Sequence, residues 1–124
     1  MKTKTYLDNI NSFLTNREVF FGKITGQSIF DRSAFSLYVK SVFNLSKVNL
    51  TLQERYDAVI LIWEISYKIQ DLIGSHIDPN DILFIDNFEE DDIRQVSNIL
   101  YYTANWFSYG KEIDKEYLEI GSWE

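Results

Sequence analysis

TLQERYDAVILIWEISYKIQDLIG, residues 51–74, is the stretch that decides the fold. Thr51 and Glu54 stand at the first and fourth places of a capping box, in which the Thr hydroxyl accepts from the third helical amide and the Glu carboxylate reaches back to the cap amide. No proline or glycine interrupts the run before Gly74, a residue well suited to end a helix. Leu52 to Ile73 therefore predicts a helix of about 33 Å, at about 1.5 Å per residue. Tyr56, Val59, Ile60, Trp63, Tyr67, Ile69, Leu72 and Ile73 follow helical spacing, while Leu61, Ile62 and Ile65 add apolar surface on another side. A helix apolar on more than one side is usually the central member of a bundle.

Upstream, Leu7, Ile10, Phe13 and Leu14 line one face of a short amphipathic helix within Thr5–Asn16. Residues 18–30, EVFFGKITGQSIF, hold two glycines among aromatic and β-branched residues, which predicts a strand or an extended loop packed through Phe20, Phe21 and Ile24. Asp31 or Ser33 can cap the next helix, with Phe35, Tyr38, Val39, Val42 and Phe43 on one face and an end near Leu45. Downstream of Gly74, Asp78-Pro79-Asn80-Asp81 is turn chemistry, and Ile82 to Ile85 fits either a short extended piece or one helical turn. A last long helix is signalled from about Glu89 to Tyr109, capped by Asp86 or Asn87, with Ile93, Val96, Leu100, Ala104 and Phe107 on one face and Gly110 after it. The tail, with Ile113, Tyr117, Leu118, Ile120 and Trp123, suits a short helix or an edge strand equally. The fold class expected is mainly α: a single domain over residues 1–124, a bundle of about four helices with a small extended segment near residues 18–30 and room for another at the C-terminus.

Composition narrows the functional classes. A chain of 124 residues fits one domain, and 45% hydrophobic with 25% charged residues argues against wholesale disorder. Without cysteine there is no disulfide, thiolate metal site or Cys nucleophile, and a reducing compartment, the cytoplasm, is the simplest setting. Lys2 and Lys4 are followed by no apolar run, so the start does not read as a secretory signal. The longest strongly apolar run, Ala58 to Trp63, is far below the roughly twenty residues of a spanning helix.

The charge is lopsided. Ile69 to Ile93 holds eight acids (Asp71, Asp78, Asp81, Asp86, Glu89, Glu90, Asp91 and Asp92) without one Lys or Arg, so this segment alone accounts for the net charge of −7. Such a segment attracts a basic partner and disfavours direct contact with nucleic-acid phosphates. Acids in a helix's first turn also complement its dipole, but one or two suffice, and four in a row repel one another. Asp78, Asn80, Asp86 and Glu89 fall in an EF-hand register that fails at its centre, where Ile82 replaces a ligand and Leu83 the required glycine. His76 is the only histidine, which leaves no His pair for a metal and no second imidazole for a relay; a capping or turn role just past Gly74 is the simpler reading. Gly22 and Gly26 lack the spacing of a phosphate loop. No catalytic residue, metal or cofactor is expected, and the chain does not read as an enzyme. Tyr101, Tyr102, Trp106 and Tyr109 span several angular positions on the last helix, so some either face solvent as interface anchors or lie under the tail.

The segment FFGKITGQSIFD (residues 20–31), the helix start at Phe35 to Tyr38, the turn HIDPND (residues 76–81) and the aromatic helix from Ile93 to Gly110 together resemble bacterial immunity proteins of polymorphic and contact-dependent growth inhibition toxins. The resemblance covers roughly three quarters of the chain by order of elements. It implies a small cytoplasmic protein that binds one cognate toxin domain, commonly a nuclease, and covers its active site or substrate groove. On that reading Asp78, Asp81, Asp86, Glu89, Glu90, Asp91 and Asp92 supply the electrostatic face toward a basic toxin domain, and Tyr101 and Trp106 the anchors. The assembly expected is a monomer or weak homodimer, with no membrane and no direct nucleic acid. The alternative is an oligomeric helical structural or regulatory protein without catalytic activity, whose aromatic helix buries against a copy of itself.

Overall fold

The computed structural model describes residues 2–114 and Leu118. Those residues form helices α1 (Lys2–Thr15), α2 (Phe21–Gln27), α3 (Arg32–Ser46), α4 (Leu52–Ile77) and α5 (Glu90–Ser108), with no strand among them. None of the helices is long and apolar enough to cross a membrane. The mainly α class holds, with a fifth, short helix beyond the four expected.

That fifth helix is the main correction. Residues 21–27 are helical, not extended, residues 17–20 form turns, and residues 28–31 carry no regular structure. Tertiary packing overrides the local preference of the aromatic and β-branched residues: Phe20 is fully buried, Phe21 and Ile24 are buried one turn apart, and α2 is too short to persist without that burial. Gly22 permits the geometry, because a Cβ there would come within 2.4 Å of the Arg17 carbonyl oxygen. Ser28, at φ 59°, closes α2 in the left-handed region and donates its amide to the Ile24 carbonyl at 3.1 Å.

The high aromatic content has a structural account here. Phe13 of α1 stacks on Phe20 at 4.5 Å and on Tyr38 of α3 at 4.7 Å, Phe20 meets Phe30 edge-on at 5.1 Å, and Phe30 stacks on Phe88 at 4.6 Å. This ring cluster joins α1, α2, α3 and the α4–α5 connector. The Tyr38 hydroxyl sits inside it with no hydrogen-bond partner among the described residues, and burial pushes its pKa up. Tyr38→Phe should therefore keep the packing, remove a desolvated polar atom and raise stability by about 1 kcal/mol. A urea titration checks this, and a loss of 1 kcal/mol would mean the hydroxyl is satisfied.

Asp31 caps α3 by accepting from the Ala34 amide at 3.0 Å, and Phe35, Tyr38, Val39, Val42 and Leu45 face the core. Thr51 and Glu54 make both bonds of the capping box that opens α4. That helix does not stop at Gly74 but runs to Ile77; what ends it is Pro79, which disfavours helical backbone at Asp78 (φ −82°, ψ 115°). Of its two apolar stripes, the core takes Ala58, Ile62, Ile65, Ile69 and Ile73, and Tyr56, Ile60, Trp63 and Tyr67 stay exposed. Small and β-branched residues let α5 approach closely, whereas Tyr and Trp carry polar atoms that seek partners or water. The Trp63 indole N–H finds one, donating to the Ser108 hydroxyl at 2.6 Å.

α5 returns antiparallel along α4, burying Val96, Ile99, Leu100, Ala104 and Phe107, and Gly110 at φ 71° breaks the chain away as expected. Beyond it, Ile113 is buried and its amide donates to the Ser46 hydroxyl at 3.2 Å, while Leu118 is buried as well. Tyr117, Ile120 and Trp123, and with them the choice between helix and strand for the tail, lie outside the described residues.

Candidate functional site: the acidic connector

The connector, residues 78–89, holds neither helix nor strand, and burial alternates along its middle. Leu83 is half-buried and Ile85 buried on one side, while Ile82 and Phe84 point outward, Ile82 at 102% relative exposure and Phe84 at 59%. Ile77, in the last turn of α4, is exposed as well, at 61%.

Three contacts fix this shape. The His76 ring accepts the Ile85 amide on Nδ1 at 2.9 Å and faces the Phe88 carbonyl with Nε2 at 2.9 Å, so Nε2 carries the proton and donates. The lone histidine is thus a backbone clamp; its ring also lies 4.8 Å from that of Phe84 and 5.6 Å from that of Phe88. Asn87 does not cap α5. Its side chain takes the Phe30 amide at 2.7 Å and gives to the Phe30 carbonyl at 2.8 Å, while the Asp86 amide donates to the Ser28 carbonyl at 2.8 Å. Glu89 is the cap residue, its amide donating to Asp92 at 2.9 Å.

The acids divide by environment. Asp78 and Asp81 are exposed and accept from the amides of Asn80 and Leu83 at 2.9 and 3.0 Å, which sets the turn. Asp86, Glu89 and Glu90 are exposed, and Asp91 is exposed beside Arg94, with which it pairs. Asp92 differs. Both its oxygens accept from Arg32, at 3.0 and 2.9 Å, and its side chain is only 17% exposed. The Arg32 hydrogen bonds, against the opposing effect of burial and helped by the Glu89 amide, hold its carboxyl below the usual range. Asp92 is thereby a tie between α3 and α5 and leaves the exposed acidic face on which the sequence placed it.

Among the aromatics of α5, Tyr101 is exposed at 59%, whereas Trp106 is half-buried with its ring 6.3 Å from that of Tyr102. Trp106 presents only part of itself to a partner. What the sequence reading missed is the outward pair Ile82 and Phe84; the available signal is the run of four apolar residues, Ile82 to Ile85, in a short connector that buries only Ile85 and part of Leu83. The described residues hold no group of three or more His, Asp or Glu placed to bind a metal ion. What the arrangement offers chemically is a fixed, negatively charged surface with apolar side chains at its crest. A scan against protein-family models, a search of curated proteins and a search of solved structures each return no match to this chain.

Proposed function

We propose that this chain is a toxin-neutralising protein of the immunity type, which acts in the cytoplasm by covering the basic active-site or substrate-binding surface of a cognate toxin domain, a nuclease in the leading case, without catalysis of its own. The observation that carries the reading is the connector face: Asp78, Asp81, Asp86, Glu89 and Glu90 are all exposed, on a segment that contains no Lys or Arg. Such a face takes the place of phosphates on a cationic groove and steers encounter over a Debye length of about 8 Å at physiological salt. The direct test is binding of the purified chain to the toxin domain encoded beside its gene, together with inhibition of that domain's activity. A neighbouring toxin domain that ignores the chain at micromolar concentration defeats the reading.

Charge reversal at Glu89, Glu90 and Asp91, with Asp92 left in place because it ties α5 to α3, should slow association roughly tenfold or more and flatten its salt dependence. The fold should survive, at a helix-end cost of about 0.3–1 kcal/mol per group. Stopped-flow association at two salt concentrations reads both effects.

One observation favours a second reading, an oligomeric helical protein. Tyr56, Ile60, Trp63 and Tyr67 form an exposed apolar stripe along α4, where partner helices commonly pack. Light scattering decides it: a dimer dispersed by Trp63→Gln supports self-association as the role, and a strict monomer at high concentration removes it.

A further inference from the structure

We infer that the crest of the connector, Ile82 and Phe84 together with Ile77 at the end of α4, is the anchor that seats this protein in an apolar hollow rimmed by cationic side chains on its partner protein. The inference rests on the reading of the chain as a binder of a basic protein, and adds which residues hold the complex together once charge has brought it about.

Exposure alone does not make an anchor, since isolated apolar residues are common on surfaces. Three features separate this group from that background. The side chains all fall within residues 77–84, Ile77 at the end of α4 and Ile82 and Phe84 in the connector, and all are more than half exposed, Ile82 entirely so. They stand on backbone that is already ordered: His76 fixes the backbone at Ile85 and Phe88 on either side of Asp86, Asn87 ties the loop to Phe30, and the Phe84 ring rests 4.8 Å from the imidazole. A preorganised loop loses little conformational freedom on binding, so more of the contact energy appears as affinity. Finally, Ile82 and Phe84 are flanked in sequence by the exposed acids Asp78, Asp81, Asp86, Glu89 and Glu90, with no Lys or Arg among them, so an apolar anchor is set in a charged segment, the combination a binding site carries.

The flanking acids also select the occupant. A second copy would bring the same acids to the same face, an anionic membrane surface or a nucleic acid would bring phosphates, and all three are opposed by like charge. A protein surface with Lys or Arg around an apolar hollow is attracted at long range and buries the crest at short range. The flanking acids and the apolar anchors then have separate kinetic signatures, the former in association and the latter in dissociation.

The test uses the full chain and, as probe, the inactivated toxin domain encoded beside its gene. Ile82→Ser, which touches a side chain with no packing to lose, and Phe84→Ser are compared with Leu37→Ser at an exposed position of α3. The inference expects each connector variant to accelerate dissociation about tenfold or more with association nearly unchanged, and Leu37→Ser to leave dissociation as in the wild type. Dissociation that is unchanged in both connector variants, or that responds to Leu37→Ser alone, overturns the inference while leaving the proposed function standing. A wild-type chain that fails to bind the probe defeats both. A wild-type chain that self-associates by light scattering and becomes monomeric in Ile82→Ser assigns the crest to a second copy, and overturns the choice of partner.

Discussion

Phe20→Ala should lower the unfolding free energy by about 4 kcal/mol, the middle of the range for deleting a buried aromatic ring. Phe20 is fully buried, and its ring lies within 4.5–5.1 Å of those of Phe13, Phe21 and Phe30, with Phe35 at 6.4 Å. Alanine leaves a cavity among rings that cannot collapse into it, because each is pinned by neighbours in α1, α3 or the connector. Phe20 is also the residue on which α2 begins, and a seven-residue helix has no stability apart from its packing. Against a total of about 5–15 kcal/mol for a domain, such a loss should shift a urea midpoint strongly at unchanged slope. Phe20→Leu, which refills most of the volume, should cost about a third as much. A Phe20→Ala loss below about 1 kcal/mol would mean that the ring cluster is looser than its geometry.

The contrast between α2 and α4 locates what the sequence could convey. The capping box at Thr51 and Glu54 and the unbroken apolar periodicity after it are local signals, and α4 begins where they place it. Residues 21–27 carry local signals for extended chain, but Phe20, Phe21 and Ile24 can be buried together only if the backbone coils, a requirement set by Phe13 and Phe35 far away in sequence. The inward stripe of α4 was undetermined for a similar reason: both stripes have helical period, and the choice depends on which side chains α5 can approach closely. The end of α4 was misread from Gly74 because Pro79, five residues on, acts through Asp78 and not at its own position.

The candidate site was legible as charge and not as shape. Eight acids without a base can be counted in the sequence, whereas the withdrawal of Asp92 into the Arg32 pair depends on a residue sixty positions away. His76 likewise has no partner in the sequence to announce it, since it binds two backbone groups, and backbone carries no residue code. Ile82 and Phe84 owe their display to that clamp, so the most prominent apolar surface of the connector is a product of tertiary structure.

Arg32→Met should cost about 2 kcal/mol at pH 7, and the cost should shrink as the pH falls below about 4. Arg32 gives two bonds to Asp92 and one, at 2.7 Å, to the Asn87 carbonyl. Its removal leaves a largely shielded carboxylate that still accepts from the Glu89 amide, but the Arg32 side chain is 31% exposed, so solvent screening keeps the loss below that of a fully buried pair. The pH dependence follows from the direction of the shift. Asp92 is held below the usual carboxylate range in the folded protein, so its stabilisation is present above the unfolded value of about 4 and is lost as pH falls through the folded value. Asp31 acts in the same sense: burial pushes its carboxyl up, but the bond from Lys23, the Ala34 amide and the Lys23 charge together bring it below the ordinary value. Wild-type stability should therefore decline below about pH 4, and the gap to Arg32→Met should close as Asp92 takes up its proton, leaving the lost bond to Asn87 as the remainder. Urea titrations of both proteins at pH 7 and pH 3 measure the gap, and one that is constant with pH would show that Arg32 acts through packing and the Asn87 carbonyl alone. Because Asn87 also ties the connector to Phe30, the same substitution should loosen the loop that carries Ile82 and Phe84, coupling the stability of the α3–α5 tie to the geometry of the docking crest.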